Sequence, residues 1–313
     1  MRHVCQANDA FVIRCFEGNP SLATIELPQT VTGKPRELQG FLNHNVYHPA
    51  ARGLARALAA TPVTPNMVSI FGAAMVCATG VLYALVGTPW AIATGFALHL
   101  LWHVVDGADG DLARMTGRAS PRGEVVDGLC DYGGHTVLYL LLGYALQQMF
   151  GVWVWPIVVG AGVSRIAQSV FAESSRRSYQ YWAYGVPWIQ HNRAVESTGV
   201  GGALARFYLT VSHALTGATE PVNALVASAE PDPPERQRIA RLARETGRRT
   251  LLLPGVLGAN PRTILLGLSM IAGSSIWFFL IELTVLNVVL VVAIAQQRGD
   301  CRRLAQLIAR GRD

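Results

Sequence analysis

Long apolar stretches almost free of charge constrain this sequence more than any other feature. Residues 66–87 and 90–105 contain no Asp, Glu, Lys or Arg, and a helix of about 20 apolar residues crosses the hydrocarbon core of a bilayer. Only 15% of the 313 residues are charged, compared with about 25% in soluble domains. The sequence therefore predicts an all-α integral membrane protein. It excludes a soluble enzyme, a disordered chain, a coiled coil and a collagen-like fibre.

Six stretches have the length and composition of transmembrane helices. We place them near 66–87, 90–111, 124–149, 152–173, 262–279 and 281–297. Their connections alternate between loops without Lys or Arg and loops with several arginines, such as Arg114, Arg118 and Arg122. Because cytoplasmic loops collect basic residues, this alternation predicts that both termini lie in the cytoplasm. The net charge of +6 then reflects topology rather than a nucleic-acid partner.

The segments outside these spans complete a five-part organisation. We expect a cytoplasmic extension at 1–40, an interfacial helix with the first four spans at 41–185, an insertion at 186–260, the last two spans at 261–298 and a basic tail at 299–313. Within the insertion, 204–225 is either an interfacial helix or a seventh crossing. Glu235–Arg249 is a basic helix that either rests on anionic headgroups or faces solvent.

The segment just before the first span has the pattern of an amphipathic helix. Apolar residues recur at helical spacing, and two arginines lie on another face; the residues are Val46, Ala50, Leu54 and Leu58, with Arg52 and Arg56. Such a helix typically lies in the plane of the membrane interface. The sequence therefore predicts an interfacial helix ahead of the transmembrane bundle.

Four aspartates flank the loop between the second and third spans. Asp106 and Asp109 are three residues apart, and Asp127 and Asp131 are four apart, so each pair lies on one helix face. A short loop makes the two helices antiparallel neighbours, and the four carboxylates then converge near the cytoplasmic surface. Carboxylates this close repel one another unless hard cations such as Mg²⁺ offset their charge. Two such ions bridged by carboxylates can hold a phosphoryl group during transfer.

Small residues and an arginine accompany the aspartates. Gly110 and Ala113, one turn apart, remove side-chain bulk and let a flat group such as a nucleotide approach the helix. Arg114 supplies a fixed cation for a phosphate. Asp111 lies about 200° around the helix from Asp109, so we leave it out of the cluster.

Together these residues form a spaced pattern, Asp-x2-Asp-Gly-x2-Ala-Arg-x8-Gly-x3-Asp-x3-Asp, from Asp106 to Asp131. The pattern resembles the motif of the CDP-alcohol phosphotransferase (CDP-alcohol phosphatidyltransferase) family, which are membrane enzymes of phospholipid head-group synthesis. The family core, six helices preceded by an interfacial one, is similar to the arrangement predicted here. The resemblance covers 41–185 and 260–300.

This resemblance implies a role for each motif residue. It implies that two Mg²⁺ or Mn²⁺ ions are held by Asp106, Asp109, Asp127 and Asp131, and that Asp131 is also the general base. It implies a nucleotide site formed by Asp106, Gly110, Ala113, Arg114 and Gly123. The implied reaction is attack of an alcohol on the β-phosphorus of a CDP-alcohol, with release of CMP. The resemblance also implies that either the CDP-linked alcohol or the acceptor alcohol is a lipid. It further implies that the protein forms a homodimer.

A single arginine in the fourth span suggests an acceptor site. Arg165 stands among apolar residues, where a buried arginine requires an anionic partner. Either Glu173 or the aspartate cluster supplies that partner, or Arg165 binds an anionic acceptor or phosphate. Gln168, three residues further along, is a second candidate acceptor-binding residue.

Three histidines lie near the aspartates in the sequence: His99, His103 and His135. A lone histidine facing a helix bundle is more often a hydrogen-bonded packing residue than a ligand. We therefore interpret all three as packing residues and not as part of the metal site.

Two other functions fit part of this pattern. An intramembrane prenyltransferase also binds a diphosphate through Mg²⁺ and Asp-rich motifs, but in nine helices with two separated motifs. An ion-coupled transporter binds a cation with acids, but transporters often carry internal repeats, which we do not find. The sequence also leaves two possibilities for the substrates of a phosphotransferase. Either CDP-diacylglycerol reacts with a polar acceptor, or a CDP-linked head group reacts with a lipid such as diacylglycerol or ceramide.

Overall fold

The computed structural model describes residues 36–186, 199–247 and 249–310, and in these ranges all regular structure is helical. Most of the predicted extension at 1–40 and the last residues of the basic tail lie outside the described residues. The main helices are α1 (His48–Ala59), α2 (Pro65–Val81), α3 (Pro89–Met115), α4 (Pro121–Phe150), α5 (Trp155–Tyr184), α6 (Gly199–Thr216), α7 (Glu220–Ala229), α8 (Pro233–Gly247), α9 (Leu252–Val256), α10 (Ala259–Ile271), α11 (Ile276–Leu283) and α12 (Val285–Ala309).

Local sequence signals explain where the helices around the site begin. Thr64 and Ser120 accept hydrogen bonds through their side chains from Met67 and Gly123, and so cap α2 and α4. In both helices a proline follows the cap, where its fixed φ suits the first helical turn. Caps of this kind satisfy backbone N–H groups that have no partner within the helix. The start of α4, and with it the position of Asp127, is therefore set locally.

Five helical stretches are long and apolar enough to cross a membrane by length and composition. In the described part of the chain they are Pro65–Val86, Pro89–Met115, Val152–Tyr184, Arg249–Ile271 and Ile276–Ala309. They include five of the six predicted spans, with different ends. The 30-residue helix α4 is not among them, and its N-terminal half carries polar residues such as Asp127, Asp131 and His135.

The break between the last two spans differs from the prediction. We expected it near Leu280-Ile281, but the chain turns at 272–275, where Gly273 has a φ of 95°. Residues with φ in this range are usually glycine, because other side chains meet steric strain there. Leu280 and Ile281 instead lie inside α11, so the final span begins earlier and extends from Ile276 to Ala309.

Helix α1 packs on α3 through small residues. Ala51 and Ala55 are fully buried, and a Cβ added to Gly107 of α3 would lie 3.1 Å from the Cβ of Ala51. The predicted apolar face is only partly buried. Val46, which precedes α1, is 48% exposed, and Ala50 is also exposed, whereas Leu54 and Leu58 are half-buried. Small residues are favoured at this contact because they let two helix backbones approach closely.

The described residues of the insertion form helices that share an apolar cluster with the ends of α5 and α12. Val222 and Val226 of α7 and Ile239 of α8 are fully buried, and they pack against Tyr179 near the end of α5 and Leu304 near the end of α12. Residues 204–225 therefore divide between α6 and α7, with a bend at 217–219. Neither helix is among the candidate spans in the described part of the chain.

Three arginines of the basic helix α8 donate hydrogen bonds to the ends of neighbouring helices. Arg236 and Arg244 donate to carbonyl oxygens in the last turn of α5, and Arg238 donates to the carbonyl oxygen of Ile308 at the end of α12. Cations are favoured at helix C-termini, where backbone carbonyls lack partners. Three arginines of the predicted basic helix Glu235–Arg249 thus contact backbone carbonyls of the protein, whereas Arg241 is exposed.

Candidate metal and nucleotide site

The ends of α3 and α4 bring carboxylates from both helices together. Oxygen atoms of Asp106, Asp127 and Asp131 all lie within 4.8 Å of one another. Across the two antiparallel helices, Asp131 lies within hydrogen-bonding reach of Asp106, and Asp127 within reach of Asp109. The four predicted residues therefore form two pairs, each with one carboxylate from α3 and one from α4.

Asp109 lies deeper than the other acids and has a fixed partner. It is 5% exposed, and its Oδ2 accepts a hydrogen bond of 2.6 Å from the Ser69 hydroxyl of α2. A hydrogen bond to a carboxylate is stronger than one between neutral groups. Ser69 therefore orients one side of the acidic cluster from a third helix.

The chemistry of these donors fits a hard divalent cation. In the described part of the chain, the Asp106, Asp127 and Asp131 group is the only one with three potential metal-ligating side chains this close together. All its donors are carboxylate oxygens, which Mg²⁺ prefers over nitrogen or sulfur ligands. Several acids in a half-buried site also repel one another, and bound cations offset that repulsion.

A cleft of about 120 Å³ opens beside the carboxylates. It joins the start of α2, the last turns of α3 and the start of α4. The predicted residues at its wall are Asp109, Gly110, Ala113, Arg114, Gly123 and Asp127. Asp106 and Asp131 are not among the lining residues, so the acidic cluster and the cleft are adjacent and share two of the four aspartates.

Arg114 lies at the cleft and pairs with Asp111. Its Nη2 donates to Oδ1 of Asp111 at 2.5 Å, and its side chain is 63% exposed. A Cβ added to Gly110 would lie 3.4 Å from Arg114 Nη1, so the guanidinium lies over the glycine. Asp111 thus takes no part in the acidic cluster, and the absence of a side chain at Gly110 leaves room for the arginine.

Sequence reasoning missed several polar residues of the cleft. Asn66 and Ser69 come from the first two turns of α2, and Arg118 and Ser120 come from the loop between α3 and α4. Asn66 directly follows Thr64 and Pro65, the cap and first residue of α2, and this helix start is recognisable from the sequence. Ser69 lies 40 residues from Asp109, and no local pattern connects the two.

The three histidines form a buried hydrogen-bonded group beneath the carboxylates. Thr263 of α10 bonds to Nε2 of His103 at 3.0 Å and of His99 at 3.3 Å. His135 donates from Nδ1 to the carbonyl oxygen of Asp131 at 2.8 Å. This arrangement agrees with their interpretation as packing residues, and it connects α10 to the two helices that carry the aspartates.

The two candidate acceptor residues occupy different surroundings. Arg165 lies over the ring of Tyr139, with its Nη1 donating to the Tyr139 hydroxyl at 3.4 Å, and it forms no salt bridge among the described residues. Glu173, one of its expected partners, instead binds Arg176 and Arg177. Neither of the two expected protein partners therefore forms a salt bridge with Arg165.

Gln168 is held within the helix bundle. Its amide nitrogen donates to Asn287 at 2.9 Å and its oxygen accepts from Arg262 at 2.7 Å. Arg262 in turn forms a buried salt bridge of 2.8 Å with Glu282. The structure therefore places Gln168 in a polar network that joins α5, α10, α11 and α12, with both ends of its amide in use.

Comparison with known proteins defines the class to which this fold and site belong. The family model described as CDP-alcohol phosphatidyltransferase matches residues 62–216. No curated protein matches the chain. The chain belongs to the CDP-alcohol phosphatidyltransferase family, whose members are membrane-embedded, depend in general on divalent metals and transfer a phosphate group from a CDP-alcohol to an alcohol in lipid synthesis. The match continues beyond residue 185, into the segment that we had separated as an insertion.

Proposed function

We propose that this protein moves a substituted phosphate from a CDP-alcohol to an acceptor hydroxyl and releases CMP. The observation that carries this proposal is the facing of two carboxylate pairs on α3 and α4 beside a cleft lined by small residues and Arg114. Both pairs belong to one helical hairpin, which favours this function over that of an intramembrane prenyltransferase with two separated motifs.

The four aspartates are the residues that would hold the metal. Asp106, Asp127 and Asp131 lie within one ion's reach of each other, and Asp109 adjoins Asp127, which supports a site for two Mg²⁺ or Mn²⁺ ions. When bound, such ions offset the charge of the diphosphate and of the departing CMP.

The cleft is the proposed nucleotide site. Gly110, Ala113 and Gly123 leave space at its wall, and Arg114 supplies a cation for a phosphate oxygen. Asp106 borders this region from the acidic cluster. Asn66, in the first turn of α2, adds an amide at the wall, a group that can donate to and accept from a nucleobase.

Asp131 is the proposed general base. It takes the proton from the acceptor hydroxyl while that oxygen bonds to the β-phosphorus, and the bond from the β-phosphorus to the CMP oxygen breaks. Arg165, which shares no salt bridge with a described carboxylate, is the proposed contact for a polar or phosphate-bearing acceptor. Gln168 would act only through Arg262, since its amide is already bonded within the bundle.

The membrane arrangement follows from the same helices. Helix α4 connects the end of α3 to the start of α5, and both of those helices qualify as spans. We therefore propose α4 as a sixth crossing and α1 as an interfacial helix. We further propose that the carboxylates and both termini face the cytoplasm, where the arginine-rich loops lie, and that the protein forms a homodimer.

Release of CMP by the purified protein tests this function. With Mg²⁺ and a panel of CDP-alcohols plus lipid extract, we expect CMP and a new phosphodiester product identified by mass spectrometry. Chelation of divalent ions should stop release, and re-addition of Mg²⁺ or Mn²⁺ should restore it. The substitution Asp131→Asn should reduce turnover at least about 100-fold, as loss of a general base does, while most nucleotide binding is retained.

A matched control separates this effect from a general loss of charge. Glu245 is exposed on α8 and belongs to neither the cluster nor the cleft, so Glu245→Gln should retain normal turnover. Normal turnover in Asp131→Asn would contradict the base assignment. No CMP from any CDP-alcohol in the presence of either metal would contradict the proposed function.

A further inference from the structure

A groove separate from the acidic cluster lies where α12 passes the start of α7. Four residues line it: Ala218, Pro221, Arg298 and Arg302. The groove has a volume of about 300 Å³. Arg298 and Arg302 are four residues apart on α12, so their side chains emerge one above the other on the same helix face. Two guanidinium groups therefore border one groove.

No described residue neutralises the charges of these two arginines. Both side chains are exposed, and in the described part of the chain neither forms a hydrogen bond or salt bridge. Glu220 begins α7 beside Pro221, yet it forms no salt bridge with either arginine. A pair of free guanidinium groups of this kind is suited to a phosphate, which accepts their planar N–H groups.

An apolar stripe leads along the same helix to the arginines. Residues 283–297 contain no charged side chain, and Val288, Val291 and Val292 are each more than half exposed. At helical spacing this exposed face continues through Ala295 to Arg298 and Arg302. A hydrocarbon chain lying along the valines therefore ends at the two guanidinium groups.

The position of the groove matches the depth of lipid headgroups. The uncharged run ends one residue before Arg298, and arginines at such a boundary lie at the membrane interface. Gly299, between the two arginines, has no neighbour within 4 Å of an added Cβ, which leaves the approach open. An acyl chain and a phosphate are thus accommodated together, in the order in which a phospholipid presents them.

We propose that this groove binds an anionic phospholipid, with its phosphate between Arg298 and Arg302 and an acyl chain along the valine stripe. The site is separate from the proposed nucleotide cleft and does not depend on the proposed reaction. The site favours a lipid whose headgroup carries a phosphate and no positive charge. A zwitterionic lipid binds less well, because its ammonium group lies near the arginines.

Native mass spectrometry of the full-length protein in detergent tests the proposal. Dioleoyl phosphatidylglycerol is titrated against the wild type and against the double variant Arg298→Gln/Arg302→Gln, and the number of retained lipids is counted. We expect the double variant to bind one lipid fewer, with at least a tenfold higher lipid concentration required at that site. Dioleoyl phosphatidylcholine should be retained less than phosphatidylglycerol by the wild type and equally by both proteins.

Controls on charge and ligand source make the test decisive. Arg303 is exposed on α12 but does not line the groove, so Arg303→Gln should bind phosphatidylglycerol as the wild type does. Equal loss in Arg303→Gln would overturn the site in favour of a diffuse charge effect, as would unchanged binding in the double variant. Inorganic phosphate at millimolar concentration should not displace the lipid; full displacement would reassign the groove to a free anion. Equal unfolding temperatures for the two variants exclude misfolding as the cause.

Discussion

Arg236 donates through Nη1 to the carbonyl oxygen of Trp182 at 2.8 Å, and so caps the end of α5 from a helix 54 residues further along the chain. The same guanidinium donates through Nη2 to the carbonyl oxygen of Tyr181 at 2.6 Å. Trp182 itself is buried in the apolar cluster between the insertion and the ends of α5 and α12. One side chain thus couples the insertion to the helix that carries Arg165.

Removing this cap should loosen the insertion. We expect Arg236→Ala to lower the unfolding temperature and to increase amide hydrogen exchange in α8 and the last turn of α5, because hydrogen bonds to a charged group contribute about 1.5–3 kcal/mol each. Arg241 is exposed on the same helix without such contacts, so Arg241→Ala is the matched control. Equal exchange in the two variants would contradict the capping role.

The hydroxyl of Ser69 should determine how tightly the site holds its metal. Ser69→Ala removes the donor to Asp109, and loss of a group that orients a metal ligand typically weakens metal affinity about 10–100-fold. We therefore expect CMP release to require about 10–100-fold more Mg²⁺, with the rate largely recovered at saturation. Ser228→Ala, which removes an exposed hydroxyl on α7, should leave the Mg²⁺ dependence unchanged. An unaltered Mg²⁺ titration for Ser69→Ala would show that Asp109 needs no support from α2.

The close contact between α1 and α3 should tolerate no larger side chain. In Gly107→Val, the new side chain meets Ala51 at a position where even a Cβ lies 3.1 Å away, so α1 must shift beside two metal-site aspartates. We expect lower turnover in Gly107→Val, partial recovery in Gly107→Val/Ala51→Gly, and normal turnover in the control Gly53→Ala, which has open space around it. Failure of Ala51→Gly to restore any turnover would place the defect in α3 itself.

The buried salt bridge between Arg262 and Glu282 should be costly to break on one side only. Both side chains are at most 3% exposed, and removing one partner of such a pair destabilises a protein by about 3–5 kcal/mol because a buried charge remains. We expect Glu282→Gln to lower the unfolding temperature more than the double substitution Arg262→Met/Glu282→Leu. The opposite order, measured by thermal unfolding in detergent, would mean that Arg262 is stabilised mainly by its other partners.

The acidic cluster was predictable because its information is local. Asp106 and Asp109, like Asp127 and Asp131, are separated by about one helical turn, and a short loop fixes the two helices side by side. Ser69 was not predictable, since its bond to Asp109 depends on the packing of α2 against α3. The same limit applies to Glu173. The sequence analysis considered it as a partner of Arg165, but it forms salt bridges with Arg176 and Arg177, one turn further along α5.

The insertion shows the same division between local and distant information. Its basic helix was expected from composition, whereas the carbonyls that receive Arg236 and Arg244 lie more than 50 residues earlier in the chain. The turn at Gly273 was missed for another reason. The residues from Ile264 to Ile281 are apolar or small throughout, so hydropathy alone did not locate the break between the two predicted spans.

The hairpin of α3 and α4 carries all four aspartates, and its consequence concerns the order of synthesis. Chains fold broadly from the N-terminus as they leave the ribosome, and Ser69 precedes this hairpin. The full set of acids with its supporting hydroxyl therefore enters the bilayer before α10 and Thr263 have been translated. The residues proposed to bind cations are therefore all present roughly halfway through translation, whereas the buried histidine group beneath them is completed only when the later helices arrive.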